Sequence, residues 1–227
     1  YEFDSQLRSL LLDAIEKIEI SVRTQFINLR WKYGPHFYLN HKLFRDHRQL
    51  NDSIERIQFQ IKSGHDLLVS EYYHRYNDPA MPPVWIAVEL TTIGQLTKLF
   101  MNLKHAEDKE AVAKRYQIHY SVLQAIMDNL TLIRNYSAHH TRIWNRHFSF
   151  ECSLDNQHQL ISHALCDGSR MYSVLVLITY ILKTLGVEQP FYKRLMGLIS
   201  IYNINVDLMG FPSDWQDNFS ILLHGKK

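Results

Sequence analysis

The sequence predicts an all-α fold, a helical bundle joined by short irregular loops. Three observations carry that expectation. Apolar residues recur at steps of three and four along most of the 227 residues, the repeat of an amphipathic helix. Only eight Gly and six Pro occur, too few for a chain built on many tight β-turns. Several of them fall where helical periodicity stops, at Gly34-Pro35, Gly64 and Gly186. With 46% hydrophobic residues the chain can bury one substantial core, and a single domain over 1–227 is the expectation.

The first helix is the clearest. Phe3, Leu7, Leu10, Leu11, Ala14, Ile15, Ile18, Val22, Phe26 and Leu29 form its apolar stripe, and Arg8, Asp13, Glu16, Lys17 and Arg23 are read as falling between them. Gly34-Pro35 ends it. A second helix is expected over about 48–63, with Leu50, Ile54, Ile57 and Ile61 inward and Gly64 as stop signal. A short helical piece leads to the break Asn77-Asp78-Pro79-Ala80-Met81-Pro82-Pro83, with Pro83 opening the next helix. That helix is expected to span 84–103, with Gly94 marking close packing or a kink.

A shorter helix over about 108–117 takes Asp108 as its N-cap. The next runs from 121 to about 140, with Val122, Ile126, Leu130 and Ile133 on its apolar side. Residues 144–156 lack helical periodicity and read as a loop or short hairpin. Two helices over 169–185 and 191–202 close the chain. Met209-Gly210-Phe211-Pro212 with Trp215 reads as a Gly-Pro turn anchored by aromatics, and Glu71-Tyr72-Tyr73-His74-Arg75-Tyr76 as a helix end packed on a loop, with nucleic-acid binding as the alternative.

The formal net charge is +2, so a nucleic-acid surface, if present, is local. Cys152 and Cys166 are the only cysteines and read as reduced, buried or incidental, which suits a cytosolic protein better than a secreted one. The longest apolar stretch, 174–182, is far short of the roughly 20 residues of a membrane span, and a soluble protein is expected. Tyr1 is not an initiator Met, so a truncated N-terminus is also expected.

The charge feature that stands out is local. From Asn129 to Phe150 there is no Asp or Glu, while Arg134, Arg142, Arg146, His139, His140 and His147 all occur. Such a stretch suits an anionic phosphate; it equally suits a solvated helix C-terminus, whose dipole favours cations. At 100° per residue Asn135, His139, Arg142 and Arg146 share a stripe if the helix persists, whereas Arg134 lies about 140° from His139. Three arrangements bring the two together: the helix breaks near His139, Arg134 reaches around, or a second copy supplies the missing group. Adjacent His139 and His140 point about 100° apart on a helix, and no Cys or carboxylate cluster accompanies them, so no metal and no cofactor are expected.

Arg134-Asn135-x-x-x-His139 resembles the signature of HEPN ribonucleases, an Arg followed by a His after four to six residues. The wider string Arg134-Asn135-Tyr136-Ser137-Ala138-His139-His140-Thr141-Arg142-Ile143-Trp144-Asn145-Arg146 resembles the core motif of the Abi-like family of bacterial abortive-infection proteins (AbiD/AbiF type). Further similarity lies in Tyr1-Glu2-Phe3-Asp4 with Leu7-Arg8, Asp13-Ala14-Ile15-Glu16, Tyr33-Gly34-Pro35, and Trp85 and Glu89 with Gly94-x-Leu96-x-Lys98-Leu99. It extends to Met209-Gly210-Phe211-Pro212-x-Asp214-Trp215. Members usually carry a segment ahead of the Tyr-Glu-Phe-Asp stretch, in keeping with the truncation.

The resemblance implies a HEPN-like bundle, a bacterial cytoplasmic setting in phage defence or a toxin–antitoxin system, and metal-independent RNA cleavage by 2′-OH attack. His139 is then general acid/base, Arg134 the phosphate stabiliser and Asn135 an orienting hydrogen-bonder. His140, Arg142, Asn145 and Arg146 are RNA-binding or supporting residues, and Trp144 packs between them or stacks on a base. Glu89 either pairs with Arg134 or is an ordinary exposed glutamate. The implied partners are substrate RNA, an antitoxin RNA or protein, and a second copy in a homodimer. Some HEPN toxins carry a Tyr two residues after the motif His, where a partner nucleotidyltransferase adds nucleotides. Thr141 stands there in this chain, which speaks against that route of control. A non-catalytic RNA-binding module and a dimeric scaffold of a defence system are the alternatives.

Overall fold

The computed structural model describes residues 1–64, 67–76, 78–148 and 170–224. These residues are helical with no strand, as periodicity predicts; their only β-type pairing is the isolated bridge Phe44–Leu103. Two compact units emerge, one from Tyr1–Glu19 and Tyr116–Lys227, the other from Ile20–Arg115. Helix α1 (Glu2–Ile27) supplies residues to both.

In the first unit α1 contributes Phe3, Leu7, Leu10, Leu11, Ala14, Ile15 and Ile18, all buried. Helix α8 (Tyr120–Ala138) adds Leu123, Ile126, Met127, Leu130 and Ile133. Helix α9 (Met171–Leu185) is apolar around its whole circumference, and nearly every residue from Met171 to Leu182 is buried. Such a helix belongs inside a core, not at its edge. Its buried Thr179 hydroxyl donates to the Leu175 carbonyl at 2.7 Å, so that hydroxyl is not left bare. Burial also pushes the Tyr180 hydroxyl above the ordinary tyrosine range, and that hydroxyl donates to the Tyr116 carbonyl at 3.0 Å. Gly186 stops α9 in the left-handed region (φ 76°), as its position predicts.

Helices α10 (Glu188–Tyr202) and α11 (Trp215–His224) pack on α9. Helix α11 is a correction, because the sequence reading closes the chain one helix earlier. Its apolar residues Trp215, Phe219, Leu222 and Leu223 do keep helical spacing, but over too few turns to stand out. Lys183 steadies its end by donating to the Leu222 carbonyl at 2.6 Å. The aromatic anchor is real: Phe211 meets Trp215 at 5.3 Å and Tyr172 at 5.0 Å. Gly210 is required there. Its φ is 82°, and an added Cβ would stand 2.5 Å from the Arg170 Cβ. Gly210→Ala is expected to cost roughly 2–4 kcal/mol, combining left-handed strain with overpacking, read as a lower urea midpoint at unchanged slope.

The second unit holds α2 (Arg30–Tyr33), α3 (His47–Ser63), α4 (Leu67–Arg75), α5 (Val84–Ala87), α6 (Ile93–Asn102) and α7 (Ala106–Ala113). Helix α3 runs between the Asp46 cap and Gly64 and packs on α6. Asn102 ties the entry of α3 to the exit of α6: its amide donates to the Asp46 carbonyl and accepts from the Asp46 N–H, both at 2.7 Å.

Three expectations are corrected in this unit. The first helix ends at Ile27, not at Gly34-Pro35, and Arg30–Tyr33 form a separate helix after a turn at 28–29. The helix expected over 84–103 is two helices, because Thr92 and Gln95 form a reciprocal capping box that starts α6 afresh. Asp108 does not cap α7. His105 stands at the cap, and the buried Asp108 carboxylate accepts from Lys32 Nζ at 2.8 Å and from the Tyr33 hydroxyl at 2.8 Å. The Asp108 and Tyr33 contacts push the Lys32 ammonium well above its ordinary value.

Candidate active site

The site is built on the C-terminal end of α8. His119 caps the start of that helix, with a ring nitrogen that accepts from the Ser121 N–H. Its apolar side is buried through Ile133, and the last turn brings Arg134, Asn135 and Ala138 to the exposed side.

The helix does not persist to 140. It ends at Ala138, with His139 as C-cap (φ −91°, ψ 14°). The His140 N–H donates to the Ser137 carbonyl at 3.2 Å and the Thr141 N–H to the Tyr136 carbonyl at 2.9 Å. These two bonds are the Schellman pattern, and it puts His140 at the left-handed position that glycine usually fills (φ 55°). A histidine there carries a strain of roughly 1 kcal/mol. His140→Gly is therefore expected to leave stability unchanged or raise it by up to about 1 kcal/mol in urea denaturation, with the imidazole removed.

The helix thus ends at the His139 cap rather than persisting beyond it. Arg134 and His139, with Asn135, His140 and Arg142, are exposed. Beyond the cap, Arg146 lies 3.9 Å over the Tyr136 ring and donates to the Arg142 carbonyl at 3.5 Å. The Arg142 guanidinium is 5.4 Å from the Trp144 ring, and Trp144 meets Phe3 edge-on at 6.4 Å. Arg146 and Trp144 are thus committed to holding the turn, whereas Arg142 keeps an exposed guanidinium. Asn145 is half-buried in the same turn. Glu89 lies in the second unit, exposed, with its carboxylate 3.9 Å from Arg23.

One anchor escaped the sequence reading. A single Asp4 carboxylate oxygen accepts from the N–H groups of Ile143 at 3.0 Å and Trp144 at 2.9 Å. Its other oxygen pairs with Arg8. Asp4 is 6% exposed and Arg8 5%, so this is a buried ion pair. Arg8 is corrected from an outward polar position to a core one. The signal was present: at 100° per residue Asp4 and Arg8 fall in the same stripe as Leu7, Leu11 and Ile15, spaced as an i,i+4 pair. The pair pins the segment after the helix cap, and with Ile143 buried it sets where His139–Arg142 can be.

Electrostatically the end of α8 is a place for cations. Its last carbonyls carry partial negative charge, which offsets repulsion among Arg134, Arg142 and Arg146. The same dipole disfavours an anion, so a phosphate there must be held by the side chains. Among the described residues there is no cluster of three or more His, Cys, Asp or Glu that could hold a metal ion. None of the described helices is long and apolar enough to cross a membrane. Cys152, Cys166 and most of the 144–156 stretch lie outside the described residues.

No curated protein and no solved structure matches the chain. A family model described as Abi-like protein matches residues 1–145. The match takes in both halves of the anchored site, Asp4 and Arg8 at one end and the run from Arg134 to Asn145 at the other. It stops short of the Met209–Trp215 segment counted in the sequence resemblance. With well over half of its length matched, the chain belongs to the Abi-like protein family.

Proposed function

We propose that this protein is a metal-independent endoribonuclease of the HEPN type, acting as a homodimer in abortive infection or a toxin–antitoxin system. The observation that carries the reading is the presentation of Arg134, Asn135 and His139 together, exposed, on the last turn and cap of α8. Around them lies a stretch whose own side chains include no carboxylate.

The chemistry follows from the residue types. A neutral His139 imidazole takes the proton of a ribose 2′-OH as its oxygen attacks the adjacent phosphorus. The bond from phosphorus to the 5′ oxygen breaks, and the leaving oxygen receives a proton from an imidazolium. In a two-fold dimer that second group is the partner copy's equivalent histidine. Arg134 stabilises the charge on the non-bridging oxygens, with a fork that stays protonated throughout. Asn135 orients the substrate or the imidazole, and His140 and Arg142 contact flanking phosphates. The products are a 2′,3′-cyclic phosphate and a 5′-hydroxyl.

The test is incubation of purified protein with single-stranded RNA in excess chelator, followed by analysis of the ends. Cyclic phosphate and 5′-hydroxyl termini are the expected products. RNA left intact at stoichiometric protein, with salt-sensitive binding retained, would turn the reading into that of a binding module.

A further inference from the structure

The second unit contains a groove that the α8 chemistry does not use. Arg30, Trp31, Pro35 and Trp85 line a cavity of about 500 Å³. The Gly34–Pro35 turn makes it: Gly34 takes φ 86°, and the Pro35 carbonyl accepts from the Val84 N–H at 2.8 Å, which draws α5 and its Trp85 against α2. The Arg30 guanidinium lies 4.8 Å from the Trp31 ring and 5.4 Å from the Trp85 ring. Trp31 is 80% exposed and Trp85 41%.

Indoles are large apolar surfaces that proteins seldom leave in water, and two of them here flank one cation in a groove whose described lining includes no acidic residue. A flat aromatic face beside a fixed guanidinium is complementary to a ligand that is itself flat and anionic. A cationic peptide fits poorly, because none of the described lining residues is a carboxylate and a guanidinium already faces both rings. A proline-rich peptide satisfies the indoles but not the charge. An unpaired nucleotide satisfies both, with its base on an indole and its phosphate on the guanidinium.

We propose that the Arg30–Trp31–Pro35–Trp85 groove is a single-stranded RNA subsite, stacking an unpaired base on an indole and holding its phosphate with Arg30. The inference rests on the reading of the chain as an RNA-handling protein and names the form of RNA it takes, single-stranded and stacked.

The probe is a fluorescein-labelled 2′-O-methyl oligouridylate, which lacks the nucleophile and so reports binding without cleavage. The full chain is expected to bind it with quenching of indole fluorescence. Trp31→Ala and Trp85→Ala should each weaken binding about fivefold to a hundredfold, the range of one stacked base. Arg30→Gln should weaken it and reduce the slope of affinity against salt by about one phosphate contact. Because Trp31 is so exposed, its alanine variant should keep the wild-type circular dichroism spectrum. Affinity unchanged in all three variants, or displacement of the oligonucleotide by a proline-rich peptide but not by unlabelled single strand, overturns the subsite. The two readings separate: oligonucleotide binding that depends on these tryptophans in a protein that never cleaves RNA keeps the groove and removes the nuclease. Cleavage with an affinity indifferent to the tryptophans does the reverse.

Discussion

His139→Ala is expected to lower RNA cleavage in chelator by about 10²–10⁴-fold, the usual contribution of a positioned acid/base. The substitution is structurally mild. His139 is exposed, and what it gives α8 as C-cap is a backbone N–H donated to the Asn135 carbonyl at 3.0 Å, which alanine retains. Its stability should stay within about 0.5 kcal/mol of the wild type, as for other surface changes. Arg134→Ala removes the cation from the phosphate instead and should lose about 10²–10³-fold, with Arg134→Lys recovering only part because a point charge replaces a fork.

Mixing the two dead variants reports on the dimer. The proposed step uses the imidazoles of both copies at one phosphate, so a heterodimer, which keeps one His139, is expected to stay inactive. Activity restored by mixing would mean that a centre needs only Arg134 from one copy and His139 from its partner, and would remove the second histidine from the step. Undiminished cleavage in both single variants would remove the assignment altogether.

Asp4→Ala should produce the largest loss of stability, about 3–5 kcal/mol, since it strands the Arg8 charge in a buried site. It also removes the acceptor for the Ile143 and Trp144 N–H groups. Against a typical total of 5–15 kcal/mol this is severe. Adding Arg8→Met to Asp4→Ala removes the stranded charge and should return part of the loss, and the coupling between the two positions is the quantity to measure by urea denaturation. Asp4→Asn keeps an acceptor oxygen and should be milder. If the turn after the helix cap is what Asp4 holds, cleavage by Asp4→Asn falls further than its unfolded fraction explains. A loss under about 1 kcal/mol in Asp4→Ala would show that the turn holds itself.

The helices that sequence alone determined are those whose information is local. A stripe repeated over several turns marks α1, α3 and α8, a continuous apolar run marks α9, and Gly64 and Gly186 end α3 and α9 through left-handed caps that cost glycine little. The motif from Arg134 to Arg146 was likewise legible as residue types and charge. Elsewhere the local signal fell short or was overridden. The capping box at Thr92 divides a stretch whose apolar pattern runs on, and α11 is too short for its pattern to be seen.

Only tertiary structure decided where the polar groups go. Asp4 meets the Ile143 N–H across 139 positions of chain, and periodicity carries no term for such a partner. Asp108 reads as a helix cap until Lys32 and Tyr33 claim it. Trp31 and Trp85 are unrelated residues until the Gly34–Pro35 turn sets them beside one guanidinium. A buried charge or an exposed ring takes its meaning from its neighbours, and long-range packing chooses those neighbours.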